Sequence, residues 1–470
     1  MKDIKVGYEK VSRPPNTIAT EPVYLTDDTM RERKNRILML MKQHDFDSIV
    51  IYADREHGAN YGYLTGFEPR FEESLLVIHD SGKAYLMLGN ESLKMALYSR
   101  IEVEAIHTPH FSLPNQPMET ESTWLELLKK VKIDECRKIG IVGWKLFTGK
   151  LEDNKHLFDV PYYVVDGIKK VSIDATIENA TGLFIDPVYG CRTRMNANEI
   201  AHYEYAAATA SHCVYEVMNA IEVGKTEMEL AELLAAQGQP LSVQTICATG
   251  ERFTNATVEP RNKKVQLGDR ITFTMGLKGG LSHRCGYAVS EKSQLKVNEK
   301  DYLERVAFPY YKALATWYSN IGIGVKGADF YTLIDEVLPQ KKYKWTLNPG
   351  HYTADEEWLS SPFYPNSGAY IQSGMMLQMD IIISVSGFGG TNAEDGIAVA
   401  DENLRDDIRK QYPELWQRFM KRRMYMQEVL NIPLKEEILP MSTICGYYRP
   451  YMLNKDNALY IKKYTREGRI

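Results

Sequence analysis

A chain of 470 residues with 44% hydrophobic and 25% charged side chains has a globular composition. Two or three compact units are expected, and a disordered, collagen-like or coiled-coil chain is excluded. Lys and Arg number 57 against 62 Asp and Glu, a net −5 with the signs interspersed, so nucleic acid and membrane surfaces are not expected partners.

No apolar run approaches the roughly 20 residues of a membrane helix. Met1-Lys2-Asp3-Ile4-Lys5 lacks a signal-peptide core, and the six scattered cysteines form no CxxC pair. A cytoplasmic protein with reduced thiols is the expectation. Residues 1 to about 25 hold Pro14-Pro15 without periodicity and predict an extended arm. Met30, Ile37, Leu38, Met41 and Phe46 recur at helical spacing behind the caps Thr26-Asp27-Asp28 and predict a helix from Asp28. Ser48-Ile49-Val50-Ile51-Tyr52, Leu75-Leu76-Val77-Ile78 and Ala84-Tyr85-Leu86-Met87-Leu88 read as buried strands, the last two joined by the turn Asp80-Ser81-Gly82. A polar helix from Glu91, another over 119–131 and a strand at Lys138-Ile139-Gly140-Ile141-Val142 complete an α/β domain placed at residues 1–170.

An α+β domain is expected over 171–402. Helices are predicted over 174–184 and 196–223, and Thr226 with Glu229 forms a capping box for the next one. Strands follow at 243–246, 270–276 and 282–290, then helices over 301–321 and 328–338. Gly374-Met375-Met376-Leu377-Gln378-Met379-Asp380 repeats the pattern of Gly268-Asp269-Arg270-Ile271-Thr272-Phe273-Thr274, which hints at internal duplication. Residues 403–470 read as a C-terminal extension, with a helix face of Arg418, Lys421, Arg422 and Arg423 that is solvated or carboxylate-paired.

Asn60-Tyr61-Gly62-Tyr63-Leu64-Thr65-Gly66-Phe67 resembles the N-x-x-Y-L-T-G-F signature of the N-terminal domain shared by creatinase, prolidase and aminopeptidase P. Gly224-Lys225-Thr226-Glu227-Met228-Glu229-Leu230 is similar to that family's G-x-T-E-x-E-L step between helices. Leu267-Gly268-Asp269, Pro349-Gly350-His351 and Asn392-Ala393-Glu394-Asp395 follow in the family's order. The resemblance implies a creatinase-like α/β N-terminal domain, an α+β pita-bread domain with internal pseudo-duplication, a homodimer, and a small-molecule or short-peptide substrate.

Active metallopeptidases of that family hold two cations on two Asp, one His and two Glu, because paired divalent ions need a bridging carboxylate. By the family's spacing the two aspartates fall on Thr274 and on Cys285, or Arg284 if the hairpin is one residue shorter; no aspartate occurs between Asp269 and Asp301. His351 stands in the Gly-His motif, Asp380 replaces the usual Glu, Glu394 is retained, and a second family histidine is Trp358. The acid/base histidine of creatinase falls on Thr257, and no histidine lies between His212 and His283.

The candidate catalytic residues are therefore His351, Asp380, Glu394 and His283, and the candidate substrate contacts are Arg284, Cys285 and Arg70. His351 would act as general acid/base, since an imidazole titrates near neutrality. Asp380 lies in an apolar run, where a carboxylate is costly unless it is bonded or functional. It and Glu394 would orient His351 or bind a cationic group, while Arg284, or Arg70 of a neighbouring subunit, would clamp a carboxylate. His283 and Arg284 also fit outward hairpin residues, and Cys285 a small core residue. No metal is expected, or at most one divalent ion on His351, Asp380 and Glu394. The expected function is hydrolysis of a C–N bond in a small amino-acid-like, amide or peptide substrate without the usual dimetal centre. The alternatives are a plain Xaa-Pro aminopeptidase or dipeptidase and a non-catalytic peptide-binding or protein-binding pseudoenzyme.

Overall fold

The computed structural model describes residues 4–69, 71–118, 121–251 and 258–463; Arg70 and Thr257 lie outside them. The expected arm contains β1 (Val6–Lys10), which pairs antiparallel with the last strand of the chain. Leu25–Thr193 forms one compact unit. Its first helix, Asp27–Gln43, starts where Thr26 Oγ1 accepts the Thr29 N–H at 3.2 Å. β2 (Ser48–Ala53), β3 (Ser74–His79), β4 (Ala84–Leu88), β5 (Glu104–His107), β6 (Lys138–Val142) and β7 (Thr176–Asn179) make a six-stranded mixed sheet in the order β5-β4-β3-β2-β6-β7. β2, β3 and β4 are apolar runs buried along nearly their whole length, and Leu127, Leu128, Val164 and Ile168 from two helices pack on one face.

Two helix expectations give way here. From Glu91 only a 3₁₀ segment, Leu93–Tyr98, forms. Residues 174–184 hold β7 and a short helix, Gly182–Ile185, because Thr176-Ile177 extends the sheet as a parallel edge beside β6. That edge strand carries the unit past residue 170 to Thr193.

The second unit comprises the described residues among Met1–Tyr24 and Arg194–Ile470. β8 (Ile246–Thr249), β9 (Arg270–Leu277), β10 (Gly280–Tyr287), β11 (His351–Tyr352), β12 (Met376–Met379) and β13 (Ala393–Val399) form an antiparallel sheet in the order β11-β12-β13-β10-β9-β8, with β14 (Ile438–Pro440) added on β13. The helix Ala197–Ala220, entered through a capping box of Asn196 and Glu199, packs on β9 and β10. The turn between β9 and β10 approaches it so closely that a Cβ on Gly279 would lie 2.5 Å from the Tyr203 carbonyl oxygen.

The internal duplication is visible in matching parts. Helices Ala197–Ala220 and Glu227–Ala231 are joined by a turn whose Thr226 bridges Lys264. Helices Phe308–Asn320 and Gly327–Val337 are joined by a turn whose Lys326 bridges Tyr370. Gly268 and Gly374, at φ +86° and +87°, then lead into β9 and β12.

Residues 403–470 do not stand apart as an extension: β14 completes the sheet, and β15 (Asn457–Ile461) is the partner of β1. Of the cationic helix face, Arg418 and Arg422 are carboxylate-paired, both binding the buried Glu204 at 2.6 Å, while Arg423 donates to the carbonyls of Lys435 and Ile438. No helix among the described residues is long and apolar enough to cross a membrane.

Candidate active site

Strand register assembles the site. Thr274 on β9 lies opposite His283 on β10, and His283 opposite Glu394 on β13. Met379 ends β12 and pairs with Asp395, so Asp380, the next residue, lies beside Glu394. His351 on β11 pairs with Gln378, two residues before Asp380, which puts its side chain on the same face. Gly350 makes that approach feasible. Its φ is +114°, and a Cβ there would sit 2.6 Å from the Gln378 carbonyl oxygen.

His351, Asp380 and Glu394 are all buried, and one ligand atom from each lies within 4.8 Å of the others. His351 Nδ1 donates to the Tyr352 carbonyl at 3.1 Å. Its Nε2 therefore carries the lone pair, and it faces Asp380 Oδ2 at 3.9 Å and Glu394 Oε1 at 3.8 Å without a hydrogen-bond partner. Trp358 stacks on the imidazole with centroids 4.1 Å apart. Burial raises both carboxyl groups well above the usual carboxylate range; Glu394 adds to the rise at Asp380, and Glu357 adds to it at both.

These features answer whether a cation fits. A fully buried imidazole nitrogen without a hydrogen-bond partner, aimed at two buried carboxyl groups, is a donor set that could hold one divalent ion. The hairpin that would have to hold a second ion offers Thr272, Thr274, His283 and Cys285 on that face, with no carboxylate. Among the described residues no other group of three His, Cys, Asp or Glu has ligand geometry.

His283 reaches the pocket, with Nδ1 3.8 Å from Glu394 Oε2, but its hydrogen bonds fix it in one state. Tyr310 Oη donates to Asn392 Oδ1 at 2.9 Å, which turns the Asn392 amide nitrogen toward His283 Nδ1 at 2.9 Å. Nδ1 thus accepts, and the ring proton sits on Nε2, 2.6 Å from Thr272 Oγ1 and 3.0 Å from Cys285 Sγ. Burial, with the Arg284 charge adding to it, pushes the His283 pKa down to about 3. Burial also pushes the Cys285 thiol up to about 12, so it is a neutral wall residue.

Arg284 is not brought to the pocket. Antiparallel alternation turns it to the opposite sheet face, fully buried, where Nη2 binds Asp395 Oδ2 at 2.7 Å. Its remaining donors reach the carbonyls of Tyr447, His283, Glu394 and Ile444 at 2.8–3.1 Å. It has no N–H left to clamp a substrate carboxylate, which corrects the expectation. Arg70 lies outside the described residues. Sequence reasoning missed Asn392, Tyr310 and Thr272. Asn392 had a signal, being the first residue of the motif that carries Glu394; the others are recruited by tertiary contacts alone.

Residues 201–401 match the profile of metallopeptidase family M24. No curated protein matches the chain in sequence. Among solved structures, the chain is similar to the prolidase from Pyrococcus horikoshii OT3 (18% identity, 78% of this chain and 95% of that chain, TM-score 0.60). It is likewise similar to an Xaa-Pro dipeptidase from Bacillus anthracis (19%, 79% and 96%, TM-score 0.61). A third such structure is an X-Pro aminopeptidase from Thermotoga maritima MSB8 (17%, 78% and 95%, TM-score 0.58). Residues 201–401 thus carry an M24 segment, and the duplicated pita-bread domain and the α/β N-terminal unit give the chain the fold of these prolidases and aminopeptidases.

Proposed function

We propose that this M24 protein hydrolyses a C–N bond in a small amino-acid-like or short-peptide substrate, at a centre built for one divalent cation instead of two. The observation that carries the reading is the unpartnered Nε2 of His351 facing the buried carboxylates of Asp380 and Glu394. A divalent ion held by these three would supply Lewis acidity at neutral pH. The residues around it have separable tasks. The Tyr352 carbonyl fixes the His351 tautomer, and Trp358 shields one face of the ring from water. Glu394 presents its second oxygen, Oε2, toward the hairpin, where it can take a proton from water and return it to the leaving nitrogen. His283, held neutral by Asn392, lines the pocket beside Glu394 and exchanges no protons itself. A homodimer and a cytoplasmic location belong to the same reading.

A turnover screen of dipeptides, Xaa-Pro peptides and amino-acid amides, run with added Mn²⁺ or Zn²⁺, tests the proposal. His351→Ala is expected to lower turnover of any substrate found by at least about a hundredfold. Full activity in that variant would place the chemistry elsewhere.

A further inference from the structure

In the first unit, the start of β2 is held between the end of β3 and the start of β6: Ser48 pairs with His79 on one side and with Ile139 on the other. Backbone bonds lock these strand ends together. The Asp80 N–H donates to the Asp47 carbonyl at 2.9 Å, and the Asp47 N–H to the Lys138 carbonyl at 3.0 Å. Asp47 Oδ2 in turn accepts the N–H groups of Arg137 and Lys138 at 2.7 and 2.9 Å. Two half-buried side chains far apart in sequence are thereby brought together, with Cys136 Sγ 3.7 Å from His79 Nδ1. The thiol also reaches the Lys132 carbonyl, at 3.6 Å.

The geometry of the pair is that of metal ligands. His79 Nε2 lies 2.8 Å from the Val131 carbonyl, to which it must donate, so Nδ1 keeps its lone pair and turns it on the sulfur. A carbonyl that fixes the remote ring nitrogen is the usual support of a metal-bound imidazole. The spacing fits as well: a tetrahedral ion about 2.3 Å from a thiolate sulfur and about 2.0 Å from an imidazole nitrogen holds the two about 3.5 Å apart. The pair opens onto a cavity of about 450 Å³ that Asp47 and Asp80 also line, with room for water to complete a coordination shell. The cavity's lysines are already ion-paired, Lys83 with Glu104 at 2.8 Å and Lys132 with Glu135 at 3.1 Å.

We propose that Cys136 and His79 form a site for an exchangeable thiophilic cation of the Zn²⁺ class. Binding breaks the Cys136 S–H bond, forms a sulfur–metal bond and releases one proton to solvent, while His79 gives its Nδ1 lone pair without changing protonation. Thiolate and imidazole together favour soft and borderline ions over Mg²⁺ or Ca²⁺. With two protein ligands and an open cavity, the ion is lost when free ion is removed, unlike one held by three buried side chains. The site lies in Leu25–Thr193, whereas His351, Asp380 and Glu394 belong to the other unit, and the proposal does not depend on what they do.

Titration of the full chain with Cd²⁺, followed by the thiolate-to-cadmium charge-transfer absorbance in the ultraviolet, tests this. The band is expected to saturate at one thiolate per chain, to vanish in Cys136→Ser and to persist in Cys285→Ser. In His79→Gln it should need at least about tenfold more Cd²⁺. Zn²⁺ should displace the cadmium and bleach the band, and Mg²⁺ should not. Zn²⁺ should also slow alkylation of Cys136 by iodoacetamide, read by mass spectrometry. No band, a band that survives Cys136→Ser, or a Cd²⁺ dependence unchanged in His79→Gln would overturn the proposal, the last by reducing the site to a lone thiol. Because the band reports sulfur alone, its absence leaves the reading of the His351 centre intact.

Discussion

Arg284 shows how far one residue's chemistry depends on the side of the sheet it faces. It is wholly buried with Asp395, so removing the guanidinium would leave an unpaired charge in the core. Arg284→Met is expected to lower stability by about 3–5 kcal/mol in denaturant unfolding, while Arg284→Met with Asp395→Leu should recover part of that loss. The sequence did not choose between Cys285 and Arg284 for the pocket, because a one-residue shift of register reverses every side chain. The observed pairing of Cys285 with Thr272 and of His283 with Thr274 decides it. The grouping of His351, Asp380 and Glu394 could be read because each sits in a short local motif; the place of Tyr310 could not, since its contacts with Asn392 and Ala393 are distant in sequence.

The titrations of these residues also make a prediction. Asp380 and Glu394 have folded pKa values raised above the ordinary 3.8 and 4.5. The folded chain therefore binds more protons than the unfolded one, and their contribution is fully present below those values and lost as pH rises through the folded pKa values. His283 acts oppositely, costing stability as pH falls from 6.5 to about 3. The informative window opens above pH 4.5, and because both chains compared keep His283, the difference between them isolates the two carboxyl groups. There, chelator-treated protein should lose thermal stability with rising pH more steeply than the Asp380→Asn, Glu394→Gln double variant, and a saturating divalent ion should remove the difference. Equal slopes for the two chains would contradict the raised carboxyl pKa values.

At the scale of elements, β11 is two residues long and is placed by the glycine before it. Gly350→Ala would put a methyl group against the Gln378 carbonyl at a φ of +114°. A cost of about 1–3 kcal/mol is expected. Turnover should fall more than a loss of folded protein explains, because His351 is displaced with the strand. Asn196→Ala removes the side-chain acceptor of the Glu199 N–H at the start of the helix behind β9 and β10. It should cost about 1 kcal/mol in thermal unfolding and leave substrate affinity unchanged. β2, β3, β4, β6, β9 and β10 were legible from their apolar runs, with ends shifted by a few residues, whereas β5, β7, β11 and β14 were not. The segment 174–184 was misread because a four-residue parallel edge strand followed by a single helical turn has a spacing that imitates one amphipathic helix.

At the scale of the whole molecule, the chain has two compact units and a duplicated sheet, and the β9–β10 hairpin carries Thr272, Thr274, His283 and Cys285 on its pocket face. The boundaries expected at 170 and 403 misplaced the units, since composition does not reveal that β7 joins the first sheet or that β14 joins the second. A family-wide assignment of dimetal peptidase chemistry would require carboxylates at Thr274 and Cys285, and strand pairing brings none there. Elemental analysis of the full chain, after saturation with Mn²⁺, Fe²⁺ or Zn²⁺ and removal of free ion, tests this most directly. The expected result is one equivalent per chain, abolished by His351→Ala and by Asp380→Asn; two equivalents retained stoichiometrically would contradict the single-cation centre.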